Sequence, residues 1–175
     1  MRVSNLERSF FSATKFLVNL SRCHRFVVEG SSMEPTLSHG QYLLISRLNS
    51  KSHSPARGDI VVAQDPGQPG IYCIKRIIGL PGEHIRISDG SVFIHDQPIK
   101  EPYLLENAWS SANSMSLWLL DDDEYAVLGD NRNNSRDSRR FGPVSRRNLV
   151  GTAWIRYWPP KTWGSLSRQT PSLRS

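Results

Sequence analysis

A change of period near residue 25 limits what this chain can fold into more than any other feature. Before it, Leu6, Phe10, Ala13, Leu17 and Leu20 recur at alternating steps of four and three, with Arg8, Lys15 and Arg22 on the opposite side of the helical wheel. After it, segments 41–47, 59–64, 71–80, 124–128 and 149–158 are rich in β-branched and aromatic residues and bounded by Gly, Pro, Asn or Ser. Between them, Ile85 and Ile87 alternate with polar residues, Asp89-Gly90 follows, and Val92 and Ile94 resume the alternation, which predicts a hairpin closed by a type I′ turn. Strands at short spacing with a helix only at the start predict a mainly β fold.

At 175 residues, 38% hydrophobic and 22% charged, the chain suits one domain with a sizeable core. It divides into an N-terminal amphipathic, membrane-proximal segment (1–25), a main domain (26–160) and a basic tail (161–175) that lacks periodicity and is expected to be flexible. The Pro- and Ser/Asn-bearing stretch after Pro98 reads as part of a small β extension at about 88–123.

A formal charge of +6 suits an anionic partner, either nucleic acid or the acidic headgroups of a membrane surface. The one basic cluster, 132–147, has no interleaved aromatic platforms, so no nucleic acid partner is expected. Cys23 and Cys73 lack metal-ligand spacing, and no zinc site or disulfide framework follows. No run reaches the roughly 18 apolar residues that would span a bilayer. The basic-faced stripe of 6–20 keeps three readings open: a helix in a membrane interface, an organelle-targeting segment, or a cover for the core.

Among hydrolytic signatures, GxSxG and HExxH are absent. None of the five histidines is visibly paired with an Asp and a Ser, so a Ser-His-Asp triad is not favoured. In Asp130-Asn131-Arg132-Asn133-Asn134 an arginine stands where a calcium loop needs an oxygen ligand, so no metal is expected there and the segment reads as a tight polar connection. Lys75 is more suggestive. Period-2 alternation places it on one strand face with Ile71, Cys73 and Ile77, where it either snorkels to water or is desolvated. Desolvation favours the neutral amine, at about 1.36 kcal/mol per pKa unit, and a neutral amine can take a proton from a hydroxyl. A candidate hydroxyl lies in Gly30-Ser31-Ser32-Met33-Glu34-Pro35-Thr36-Leu37, where Gly30 permits unusual backbone and Pro35 stiffens the chain.

Ser31-Ser32-Met33-Glu34-Pro35-Thr36-Leu37 resembles the SMxPTL box of the type I signal peptidases, or leader peptidases. Further family-like boxes follow in order: Arg57-Gly58-Asp59-Ile60-Val61-Val62, Ile74-Lys75-Arg76-Ile77-Ile78-Gly79-Leu80-Pro81-Gly82, and the run Gly129-Asp130-Asn131-Arg132-Asn133-Asn134-Ser135-Arg136-Asp137-Ser138-Arg139. The resemblance implies a signal peptidase-type β fold and a serine endopeptidase that removes signal peptides after small residues, Ala-x-Ala in type, without a cofactor. It implies Ser32 as nucleophile and Lys75 as general base, with Ser135 hydrogen-bonding the lysine and Asp137 and Arg139 bracing the site. The Ser32 N–H is the expected oxyanion donor. Phe26, Val28, Met33 and Ile74 are expected to line shallow apolar subsites for preproteins bearing signal peptides.

Two departures accompany the likeness. Certain members place a serine two residues before the nucleophile, where this chain has Gly30, and relatives usually carry hydrophobic N-terminal spans where this chain offers only the stripe of 6–20. The expected location is a membrane, the outer face of a bacterial cytoplasmic membrane or, alternatively, a mitochondrial inner or other organelle membrane. A self-cleaving repressor-type peptidase would need a helix-turn-helix, for which the residues before the catalytic region are too few. A non-catalytic membrane-surface binder would have no use for Ser32, Lys75 and Ser135 together.

Overall fold

The computed structural model describes residues 23–48, 54–105, 108–109 and 115–173, and the amphipathic stripe of 6–20 lies outside them. In chain order the strands are β1 (Cys23–Val27), β2 (Tyr42–Arg47), β3 (Ile60–Gln64), β4 (Tyr72–Gly79), β5 (His84–Ser88), β6 (Ser91–Ile94), β7 (Gln97–Lys100), β8 (Ser116–Leu119) and β9 (Glu124–Leu128). A one-turn helix α1 (Ser138–Phe141) follows, then β10 (Val144–Ser145), β11 (Leu149–Trp158), β12 (Gly164–Ser165) and β13 (Ser172–Leu173). The large sheet runs β1-β2-β11-β3-β4-β9-β10 with β12 on β11, and the small sheet runs β13-β7-β6-β5-β8. The fold is mainly β, and the five expected strand segments become β2, β3, β4, β9 and β11 with ends shifted by no more than a residue.

The predicted hairpin joins β5 to β6 with Ile85 opposite Ile94 and Ser88 opposite Ser91. Asp89 and Gly90 both take positive φ, 50° and 70°, as a type I′ turn requires. The next reversal, at His95 and Asp96, also has positive φ (48° and 61°), but without an Asn-Gly or Asp-Gly pair its residues gave no warning.

Alternation decides which face each sheet buries. In the small sheet Ile85, Ile87, Val92, Ile94 and Ile99 point inward and meet Ile78, Ala126 and Leu128 of β4 and β9, so one apolar cluster joins the two sheets. Central strand β3 is buried on both faces. Its Ile60 and Val62 pack with Val28, Met33 and Leu37, whereas Val61 and Ala63 pack with Ile77, Val127 and Val144. Each such aliphatic side chain contributes about 1.5–3 kcal/mol on burial.

The tail, for which the sequence offers no period, carries pairings to the rest of the chain. Gly164 and Ser165 pair with Arg156 and Ile155, Arg168 Nε donates to Asp59 Oδ1 at 2.6 Å, and Ser172 and Leu173 pair with Lys100 and Ile99 of β7. Apart from the local pairing of β12 with β11, these partners lie far away in sequence, so no local period could announce them.

Candidate active site

Ser32 sits in the turn after β1. Its neighbours Met33 and Leu37, 1% and 0% exposed, plug the turn into the core, and Leu37 N donates to Met33 O at 2.9 Å. Lys75 is the fourth residue of β4 and is only 3% exposed. Pairing of β3 with β4 (Val61 opposite Lys75) aims its side chain at the turn, and Nζ lies 2.8 Å from Ser32 Oγ and 2.9 Å from Ile74 O. Burial drives the Lys75 pKa below 10.5, although Cys73, Asp137 and Asp130 each pull it upward. A hydroxyl and an amine biased towards its neutral form are thus in direct contact.

The loop after β9 closes the site from the other side. Asn131 N donates to Ser32 O at 3.0 Å and Asn131 Nδ2 to Ser31 O at 3.2 Å, while Asn134 Nδ2 holds Ser31 Oγ at 2.9 Å. A β-carbon at Gly129 would collide with Ser135 Oγ and Ser32 O, so only glycine lets this loop approach Ser32 so closely. Asp137 accepts from Gly129 N (3.0 Å) and from Arg139 Nε and Nη2 (both 2.8 Å). Burial alone would raise its pKa, but the hydrogen bonds and charge of Arg139, with the Gly129 amide and nearby Ser135, hold the carboxyl below 3.8. Ser135 itself departs from its expected contact. Its oxygen is buried beside Asp137, and Lys75 Nζ is directed instead to Ser32 Oγ and Ile74 O.

The four expected subsite residues divide into two pairs. Val28 and Met33 are sealed in the core at 3% and 1% exposure and can only back a subsite, whereas Phe26 and Ile74 are half-buried at its edge. Tyr72, which the sequence did not single out, meets Phe26 edge-on at 6.4 Å. Beside them, β4 is hydrogen-bonded to β3 along Tyr72–Ile74, but β9 joins its other side only from Arg76 onward.

Two buried ion pairs were also missed. Arg76 donates to both Asp130 carboxylate oxygens (2.9 and 2.6 Å) and to Gly58 O (3.0 Å), and its guanidinium stacks on Tyr103 at 3.9 Å. Thr36 Oγ1, in the nucleophile turn, donates to the same Asp130. Arg132 pairs with Glu101 of the small-sheet region and lies over Trp109 at 4.8 Å. The available signal was Arg76 itself, an arginine inside an otherwise apolar strand.

The family model described as signal peptidase, peptidase S26, matches residues 8–158. The chain belongs to this signal peptidase family. Similar relatives include a protein named probable signal peptidase I-2 from Synechocystis, 40% identical over 145 residues, covering 80% of this chain and 65% of that protein. The chain therefore spans just under two thirds of that relative's length. A signal peptidase I from Leptolyngbya laminosa is 36% identical over 150 residues, covering 79% of this chain and 70% of its own. Among solved structures, a signal peptidase I from Enterococcus faecalis V583 is 32% identical, with a TM-score of 0.50, and the match covers 57% of this chain and 97% of that one.

Proposed function

We propose that this member of the signal peptidase family is a serine endopeptidase that removes N-terminal signal peptides from exported preproteins. The observation that carries the mechanism is the 2.8 Å contact between a 3%-exposed lysine amine and the Ser32 hydroxyl. The neutral Lys75 amine takes the Ser32 proton, Oγ attacks the scissile carbonyl, and the resulting ammonium protonates the leaving amine. The same amine then activates the water that releases the acyl-enzyme. The Ser32 N–H, which no described residue accepts, serves the oxyanion. Ser135, Asp137 and Arg139 support the base from the loop after β9.

The substrate adds a strand along the unpaired side of β4 at Tyr72–Ile74. Phe26 and Ile74, backed by Val28 and Met33, leave shallow apolar subsites that suit small residues of the Ala-x-Ala type. The enzyme works at a membrane surface, on the outer face of a bacterial cytoplasmic membrane. Its relatives of bacterial origin support that placement over an organelle membrane. Among the described residues no helix is long and apolar enough to cross a membrane. The sequence pattern of 6–20, apolar on one side and basic on the other, suits attachment at a membrane interface.

The test is cleavage of a preprotein by the purified chain beside its Ser32→Ala and Lys75→Ala variants. Both variants are expected to be inactive, and activity surviving either one rejects the dyad.

A further inference from the structure

The match to the family model ends at residue 158, yet 159–173 is tied to the rest of the molecule at four places. Leu166 N donates to Trp154 O at 2.9 Å, and β12 pairs with β11. Arg168 Nε and Nη2 engage the Asp59 carboxylate at 2.6 and 3.4 Å. Gly58, at φ +87°, lies so close to the strap that a β-carbon there would come within 2.6 Å of Gln169 O. Finally, Pro171 is buried and β13 adds an outer strand to β7, so the segment crosses from one sheet to the other.

The point where it crosses matters. Gly58 offers its carbonyl to Arg76, Arg76 holds Asp130, and Asp130 accepts from Thr36 in the nucleophile turn. Asn131, next along, donates to Ser32 O. Behind the turn, a cavity of about 390 Å³ is lined by Pro35, Thr36 and Arg156 on one side and by Ser165, Leu166 and Ser167 of the tail on the other. Beside its core packing through Met33 and Leu37, the turn is held there by polar tethers, among them Arg156 Nη1 to Thr36 O at 3.3 Å.

We infer that 159–173 is a strap that positions the nucleophile turn, and that Arg168 is its positioning residue, acting through Asp59, Gly58 and Arg76 on the Ser32–Lys75 alignment. The inference rests on the proposed dyad. The strap's strand pairings are to β11 and β7 and its ion pair to Asp59, away from the β4 edge assigned to the peptide, so loosening it is expected to act on kcat more than on KM.

The test is steady-state cleavage of a preprotein by the full chain and its Arg168→Glu and Arg168→Lys variants, with melting temperatures measured alongside. Arg168→Glu repels Asp59 and is expected to lower kcat roughly ten-fold, part of the ~100-fold that a 1 Å misplacement can cost. KM is expected to stay within about two-fold, and Arg168→Lys, which keeps the charge but loses the two-point fork of Nε and Nη2 on Asp59, to recover only part of the rate. Should Arg168→Glu fail to fold, Ser172→Pro unpairs β13 from β7 and carries the same expectation. A wild-type kcat in the variant that folds, with only the melting temperature lowered, overturns the inference. A wild-type enzyme that cuts no preprotein rejects the proposed function instead, so the two failures are distinct.

Discussion

Asp130→Ala isolates the buried arginine on which the site leans. Arg76 and Asp130 are 1% and 0% exposed, and the carboxylate accepts from Arg76 Nε, from Arg76 Nη2 and from Thr36 Oγ1. Truncating Asp130 leaves a guanidinium in the interior with no counter-charge, at a cost of about 3–5 kcal/mol. The orphaned Thr36 hydroxyl adds about 1 kcal/mol, for a total near 4–6 kcal/mol. A domain is stable by only about 5–15 kcal/mol, so the variant falls close to the folding threshold. Urea unfolding followed by tryptophan fluorescence measures this, and at a slope of about 2 kcal/mol/M the midpoint is expected to drop by roughly 2–3 M. Asp130→Asn keeps the shape but not the charge and is expected to lose about 1.5–3 kcal/mol. The double variant Arg76→Met/Asp130→Leu removes both charges and is expected to regain at least about 2 kcal/mol over Asp130→Ala, because the stranded cation is what costs most. If Asp130→Ala loses under about 1 kcal/mol, or the double variant is no better than the single, then buried charge pairing is not what holds this loop.

Lys75→Met is expected to abolish cleavage yet to be more stable than wild type at neutral pH. Burial lowers the folded pKa, so between it and 10.5 the unfolded chain binds a proton the folded chain does not, and wild-type stability climbs with pH across that window. The gap between the two proteins should therefore close as urea titrations approach pH 10.5. For Asp137 the sign reverses: its depressed pKa gives stability that is present above 3.8 and lost as pH falls through the folded value. The melting temperature of Asp137→Asn should thus fall less than that of wild type on acidification below 3.8. Ser135→Ala removes a hydroxyl that helps hold the Asp137 carboxyl down, so its stability is expected to fall by about 1 kcal/mol or less while kcat falls at least ten-fold; an unchanged kcat removes Ser135 from the mechanism. Arg139→Gln leaves Asp137 without its partner, so the Lys75 pKa is expected to rise and the acid limb of the kcat/KM profile to move to higher pH.

The strands were legible because period two is a direct consequence of one buried face, as with Ile85, Ile87, Val92 and Ile94. Strand β3 was legible for the opposite reason, its continuous apolar run matching burial on both faces. Lys75 could be suspected from its apolar face, but what it faces is set by strand pairing and by a loop 43 residues away, which no local pattern encodes. There the motif resemblance supplied what periodicity could not. The tail shows the limit most plainly: Arg168 meets Asp59 across 109 residues, and nothing near either residue announces the other.

Lys75 and Arg76 are adjacent on one strand and must end in opposite charge states, the first biased to neutrality and the second charged. Pleating alone separates them onto two faces, but separation does not suffice, since Asp130 and Asp137 both lie near enough to stabilise an ammonium on Lys75. Each of those carboxylates is already claimed, Asp130 by Arg76 and Asp137 by Arg139, in hydrogen-bonded pairs that leave little net negative charge for the lysine. The arginines thus act as decoys. By satisfying the acids that anchor the loop to the nucleophile turn, they allow that loop to approach Ser32 without restoring the charge on the base. This accounts for two arginine–carboxylate pairs around a site whose chemistry calls for only a hydroxyl and an amine.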